Sequence, residues 1–158
     1  MKTIKLTQGK GALIDDTDFD WLSLFKWQAC MAKTGVWYAQ RTVQKNLVAR
    51  SIIMHREIAG ASRGQLVDHR NGDGLDNRRT NIRLCNRFQN GQNRFGPLGN
   101  TESGIRGVYR GSRNRWRGII HAFGKPLNVG YFATKEAAMA AVESKRRELY
   151  GEFAGSSL

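Results

Sequence analysis

Hydrophobic and polar positions alternate in short runs through the first 50 residues, with the period of strands. In "TIKLTQGKGALID" the runs are broken by Gly9 and Gly11. The segment "DFDWLSLFKWQACMAKTGVWYAQRTV" gathers Trp21, Leu22, Leu24, Phe25 and Trp27 into one apolar cluster. It turns at Thr34-Gly35 and resumes as a strand over 36–39. Large side chains fill the interior of a small zone, so this cluster is read as core. "SIIMHREIAG" reads as a strand end running into a short helix that stops at Gly60. Strands follow over 67–69 and 82–84, with the polar stretch 70–79 as the loop between them. Asn86 is placed as the N-cap of a helix carrying Phe88 and Asn90, loosened by Gly91 and Asn93.

Residues 95–104, "FGPLGNTESG", hold three glycines and a proline and read as a linker. Beyond them "IRGVYRG", "RWRGIIHAFG" and "LNVGYFAT" predict three strands joined by tight turns. Thr134 then caps a helix, "KEAAMAAVESKRRELY", closed by Gly151. The pattern predicts an α+β chain. It has a β-rich region over 1–50, a hairpin-and-helix segment over 51–94, a linker over 95–104 and a C-terminal sheet with one helix over 105–158.

Composition adds the partner. The 158 residues carry 26 Lys and Arg against 13 Asp and Glu, a net charge of +13. Such an excess favours phosphate polymers or anionic membrane surfaces. It is spread along the chain: 8 basic against 4 acidic residues over 1–50, 8 against 4 over 51–94, and 10 against 5 over 95–158. A basic tail would concentrate it, so folded surfaces carry the charge. Cys30 and Cys85 make neither a disulfide framework nor a zinc-ligand spacing. With no apolar run of signal-peptide or membrane-span type, a soluble protein of the reducing cytoplasm is expected, not a secreted one.

The candidate chemistry lies in "LVDHRNGDGLDNRRTNIRLCNRFQN", residues 66–90. Hydrolysis of a phosphodiester needs a base to take a proton from water, and a neutral imidazole does this near pH 7. It also needs positive charge against the phosphoryl and leaving oxygens, which a divalent cation held by oxygen ligands supplies. Asp68 and His69 are neighbours on a strand and so point to opposite faces. Asn81 can hydrogen-bond the loop or fix the ring of His69. Taken alone, "HRNGDGLDN" is equally a hydrogen-bonded turn. A calcium loop is excluded, because a frame with Gly74 at the required glycine puts His69 first and Thr80 last.

Asp68-His69, then Asn81, then Asn90, within "VDHRNGDGLDNRRTNIRL", resembles the HNH nucleases of ββα-metal fold, in the form found in phage and intron-encoded homing endonucleases. The resemblance covers about 54–94 and implies a double-stranded DNA endonuclease. It implies His69 as general base and Asn81 as its support in the catalytic set. It also implies Asp68 and Asn90 as ligands of one divalent metal ion, Mg2+ with Mn2+ as substitute. Asn93, three residues on, is the alternative ligand to Asn90. His55 in "MHREI" also recurs before the Asp-His pair in similar nucleases, with a structural or phosphate-contacting role. One site per chain implies a monomer that nicks one strand, leaving 5′-phosphate and 3′-hydroxyl ends.

Along 115–121, Arg115, Arg117, Ile119 and His121 share one strand face and Trp116, Gly118 and Ile120 the other. Gly118 leaves room for the helix stripe of Ala138, Ala141 and Val142, and Trp116 is read as core beneath it. "RGVY" at 106–109, "RWRGII" at 115–120, "VGYFAT" at 129–134 and "EAAMAA" at 136–141 resemble the plant Apetala/ethylene-response-factor type of DNA-binding domain. That family lays its three-stranded sheet in the major groove. The resemblance implies that Arg106, Tyr109, Arg110, Arg115, Arg117, His121 and Asn128 face DNA. Tyr109 and Asn128 stand where the plant domains often carry Arg and Trp, so the target sequence does not carry over. The alternative function is a sequence-specific DNA-binding regulator without nuclease activity.

Overall fold

The computed structural model describes residues 1–45, 48–94 and 102–155. They fall into two compact units, Met1–Arg87 and Phe88–Leu158. Most of the expected linker, 95–101, lies outside the described residues.

The first unit is built from small antiparallel sheets. Strands β1 (Lys2–Lys5) and β2 (Gly11–Ile14) pair with each other. A helix, α1 (Asp16–Leu22), follows. Strands β3 (Gln28–Met31), β4 (Trp37–Lys45) and β5 (Val48–Ile53) form a three-stranded sheet in that order. The short helix α2 (Met54–Ile58) leads to a two-stranded sheet of β6 (Leu66–His69) and β7 (Ile82–Cys85). Helix α3 (Arg87–Gln92) begins directly after Asn86 and, from Phe88 on, belongs to the second unit.

Helix α1 is absent from the strand-dominated reading of this region. Its first turn holds Asp16 and Asp18, where the positive end of the helix dipole favours carboxylates. Leu22 is fully buried, and the Trp27 indole donates to its carbonyl at 2.9 Å. The expected apolar cluster is therefore divided. Leu22 and Trp27 enter the core, while Leu24 is 80% and Phe25 38% exposed. A helix can bury only one stripe, and the chain leaves it just before these two residues.

One core joins the N-terminal region to the segment after it. Ile4, Ala12, Ile14 and Trp27 pack in the same cluster as Met54, Ile58 and Ile82. Each fully buried Leu or Met contributes roughly 1.5–3 kcal/mol at about 25 cal/mol per Å2 of apolar surface. Arg79 of the loop before β7 reaches into this unit. Its Nε and Nη2 bond the buried Asp18 at 2.8 and 2.7 Å, and its backbone N–H donates to Asp15 Oδ2 at 2.8 Å.

In the second unit β8 (Val108–Arg110), β9 (Trp116–Ala122) and β10 (Lys125–Phe132) form an antiparallel sheet with β9 at its centre. The 16-residue helix α4 (Lys135–Tyr150) packs on it. The Thr134 hydroxyl accepts from Ala137 N at 3.1 Å, as expected of an N-cap. A Cβ at Gly118 would stand 2.9 Å from Val142 Cγ2, so only glycine lets the helix come this close. Trp116 is half-buried, with the Arg110 guanidinium 4.9 Å from its ring centroid.

Candidate active site

Antiparallel pairing of β6 with β7 sets Asp68 opposite Arg83 and His69 opposite Ile82. Cross-strand partners share a face, so the carboxylate meets the guanidinium. Arg83 Nε and Nη2 donate to Asp68 Oδ2 at 3.0 and 2.8 Å. Both residues are buried. Paired burial of this kind holds the carboxylate in one place at a desolvation cost.

His69 points into different surroundings, as strand alternation requires. It is 5% exposed. Its Nε2 lies 3.5 Å from Asn77 Oδ1, at the long limit of a hydrogen bond. The His55 ring stands edge-on to it, with centroids 4.7 Å apart and planes at 82°. The Tyr38 ring lies 5.9 Å from His69 and 5.5 Å from His55. Strand β4 thus delivers Tyr38, helix α2 His55 and strand β6 the Asp-His pair.

Burial lowers the pKa of His69, against the Asn77 contact and the charges of Asp68, Asp73 and Asp76. Burial first, then the neighbouring His69 and Arg56, brings His55 down to about 3. Both imidazoles are thereby held neutral near pH 7. The Tyr38 hydroxyl is pushed up by burial and by the charge of Asp68. His55 Nδ1 is buried without a hydrogen-bond partner.

The loop between β6 and β7 is stitched from within. Asn81 sends both amide atoms to it: Oδ1 accepts from Asn71 N at 3.1 Å and Nδ2 donates to Asp76 O at 2.7 Å. Of the two roles open to Asn81 in the sequence, it fills the loop-bonding one. The side-chain contact to His69 Nε2 comes from Asn77, which the sequence reading did not single out. Asn71 Nδ2 and the Arg78 guanidinium hold Asp76, and Arg78 keeps its carboxyl below the usual range. Strand β2 anchors the loop from outside, for Leu13 N donates to Leu75 O and Asn77 N to Leu13 O, both at 2.8 Å.

A divalent cation requires hard oxygen ligands, and Asp68 supplies a carboxylate of that chemistry. Among the described residues no three His, Cys, Asp or Glu side chains converge to hold a metal ion. The Asp68 carboxylate is engaged by the Arg83 guanidinium. Asn90 lies on α3 and the buried Asn93 just after it, both in the second unit.

On the second unit, register places Tyr109 beside Arg117, Arg117 beside Tyr131, and Ile119 beside Asn128. Arg117 Nε donates to Asn128 Oδ1 at 3.3 Å. Tyr109, Arg117, Asn128 and the exposed His121 thus share one sheet face. Arg110 pairs with Trp116 on the other parity and bonds Asn114 Oδ1 at 2.6 Å. Arg115 borders a surface cavity with Ser112, Arg113 and Tyr131. Arg106 sits in the turn before β8 and donates to Arg94 O at 2.8 Å. Among the described residues no helix is long and apolar enough to cross a membrane.

Comparison with known proteins gives a phage relative. The chain is similar to Protein 3.8 of Escherichia phage T7, 35% identical over 95 residues, which span 58% of this chain and 75% of that protein. No family model matches the chain. No solved structure matches it either.

Proposed function

We propose, for a chain that belongs to the family of Protein 3.8 of Escherichia phage T7, the function of a metal-dependent endonuclease of the HNH type that hydrolyses one phosphodiester bond of double-stranded DNA. The observation that carries this reading is His69: a buried imidazole, kept neutral, beside a buried carboxylate in a strongly basic chain.

In this reading His69 takes a proton from the attacking water, and its packing against Tyr38 and His55 keeps the ring aimed. Asn81 and Asn77 hold the loop that frames it. Asp68 and Asn90 are the proposed ligands of one Mg2+ ion, with Asn93 as the alternative to Asn90. A divalent cation bound there supplies positive charge to the phosphoryl and leaving oxygens. The sheet face with Tyr109, Arg117, His121 and Asn128 grips the duplex, with Arg106, Arg110 and Arg115 at its margins. A monomer nicking one strand is the corresponding assembly.

One observation favours a DNA-binding protein without cleavage: the Asp68 carboxylate is already engaged by a buried arginine. Conversion of supercoiled plasmid to open circle separates the two. Nicking by the wild type with Mg2+ or Mn2+, abolished by EDTA and by His69→Ala, is expected of the nuclease. A gel shift on a DNA target selected for binding, without nicking of that target, supports the regulator instead.

A further inference from the structure

Helix α4 buries one face against the sheet, and that face holds a charge. Ala138, Val142, Arg146 and Tyr150 recur at four-residue spacing and are all buried. An aliphatic residue is expected at the third of these positions. Arg146 is instead 4% exposed. Its Nη2 donates to Arg106 O at 3.0 Å, and Arg106 Nη1 donates in turn to Arg94 O at 2.8 Å. A Cβ at Gly107 would stand 2.7 Å from Ile119 O and 3.1 Å from both Arg146 Nη2 and Val142 Cγ1, so the turn after Arg106 packs closely on strand, helix and guanidinium together.

The three arginines line one cavity of about 240 Å3, with Tyr109 and His121 on its wall. None of the described residues lining it is acidic. Burial and the adjacent Arg106 bring Arg146 down to about 10, and Glu143, Tyr150 and Tyr109 offset only part of that. Burial and then Arg94 lower Arg106 in the same way. Glu143 supplies some opposite charge at Arg146, while Arg94 and Arg106 face the cavity beside no acidic lining residue, a setting that favours an anion there. A guanidinium has five N–H donors, so one carbonyl bond from Arg106 leaves a fork for an oxyanion.

We propose that this cavity of the second unit is a binding site for a phosphate group, held by Arg94 and Arg106 and backed by Arg146. Two sources share this chemistry, a phosphodiester of duplex DNA and a free or small-molecule phosphate. The site does not depend on nuclease chemistry in the first unit, because its readout is binding.

The test uses the full chain and two probes, inorganic phosphate and a short blunt DNA duplex, followed by backbone amide signals. Saturable shifts at Arg106 and Gly107 with phosphate, lost in Arg94→Gln/Arg106→Gln, are expected. The same amides moving with duplex assign the site to a backbone phosphate. In that case the double variant should lose about tenfold in DNA affinity and lower the salt slope by one to two. Movement with phosphate but not with duplex assigns it to a free phosphate. The absence of saturable phosphate shifts, together with wild-type DNA affinity and salt slope in the double variant, overturns the proposal. Arg146→Met is a further variant. If it folds, loss of phosphate binding is expected, and retained binding removes Arg146 from the site.

Discussion

The rings of His55 and His69 meet edge to face, 4.7 Å apart at their centroids. His55 Nδ1 has no partner there. Loss of a buried hydrogen bond costs about 1–3 kcal/mol, so an apolar ring of similar shape would be the more stable occupant. His55→Phe is expected to melt no lower than the wild type and to nick DNA within about threefold of it. His55→Ala frees the His69 ring and is expected to lose roughly tenfold to a hundredfold in kcat with KM unchanged. The ring signals of His69 in NMR provide a second readout that needs no activity. Wild-type kcat and unchanged signals in His55→Ala would show that the contact does not position the base.

Acid should destabilise the first unit through these imidazoles. The folded pKa of His55 is about 3 against an ordinary value of 6.5. Between those values the unfolded chain binds the extra proton, so stability rises with pH. The contribution is complete above 6.5 and is lost as pH falls toward 3. The slope from one such group approaches about 1.4 kcal/mol per pH unit. Chemical denaturation at stepped pH should show this limb flattened in His55→Phe. An unchanged limb would place the acid sensitivity elsewhere.

Asp68 is the carboxylate that Arg83 holds. Removing one partner of a buried pair costs about 3–5 kcal/mol. Arg83→Gln should therefore melt well below the wild type in EDTA. If Asp68 is a metal ligand, Mg2+ should recover more stability in Arg83→Gln than in the wild type, because no guanidinium competes. Equal Mg2+ shifts in both proteins would argue against that role.

Gly74 closes the loop over Tyr38. A Cβ there would lie 2.3 Å from Trp37 O and 2.7 Å from the Tyr38 ring. Gly74→Ala is expected to cost about 1–3 kcal/mol by overpacking. It should also lower activity by displacing Tyr38 from the His rings. Circular dichroism melts and nicking assays, taken side by side, check both effects.

Much of this architecture was legible in the chain. The strand-loop-strand run around Asp68 and the cap at Thr134 both follow from local pattern, and so does the need for glycine at 118. What escaped reading was non-local. Tyr38 lies far in sequence from the Asp-His pair, and nothing in "GVWYAQ" marks it as a neighbour of His69. Arg83 was within reach: pairing β6 with β7 in register puts it opposite Asp68, but register depends on the loop's own geometry. Asn77 and Asn81 look alike as Asn residues of a polar loop, and only folded contacts tell which approaches the imidazole. Helix α1 was obscured because its aromatics continue past its end.

The two hydrogen bonds between Leu13 and the loop have a consequence for engineering. The Asp-His hairpin is not a cassette. Excised as residues 51–87, it would leave behind the strand that braces its loop, the tyrosine beside its histidines and the aspartates that hold Arg79. A transplant of the hairpin must therefore carry the whole of Met1–Arg87, and for the proposed metal ligand at Asn90 or Asn93 it must run on through Asn93.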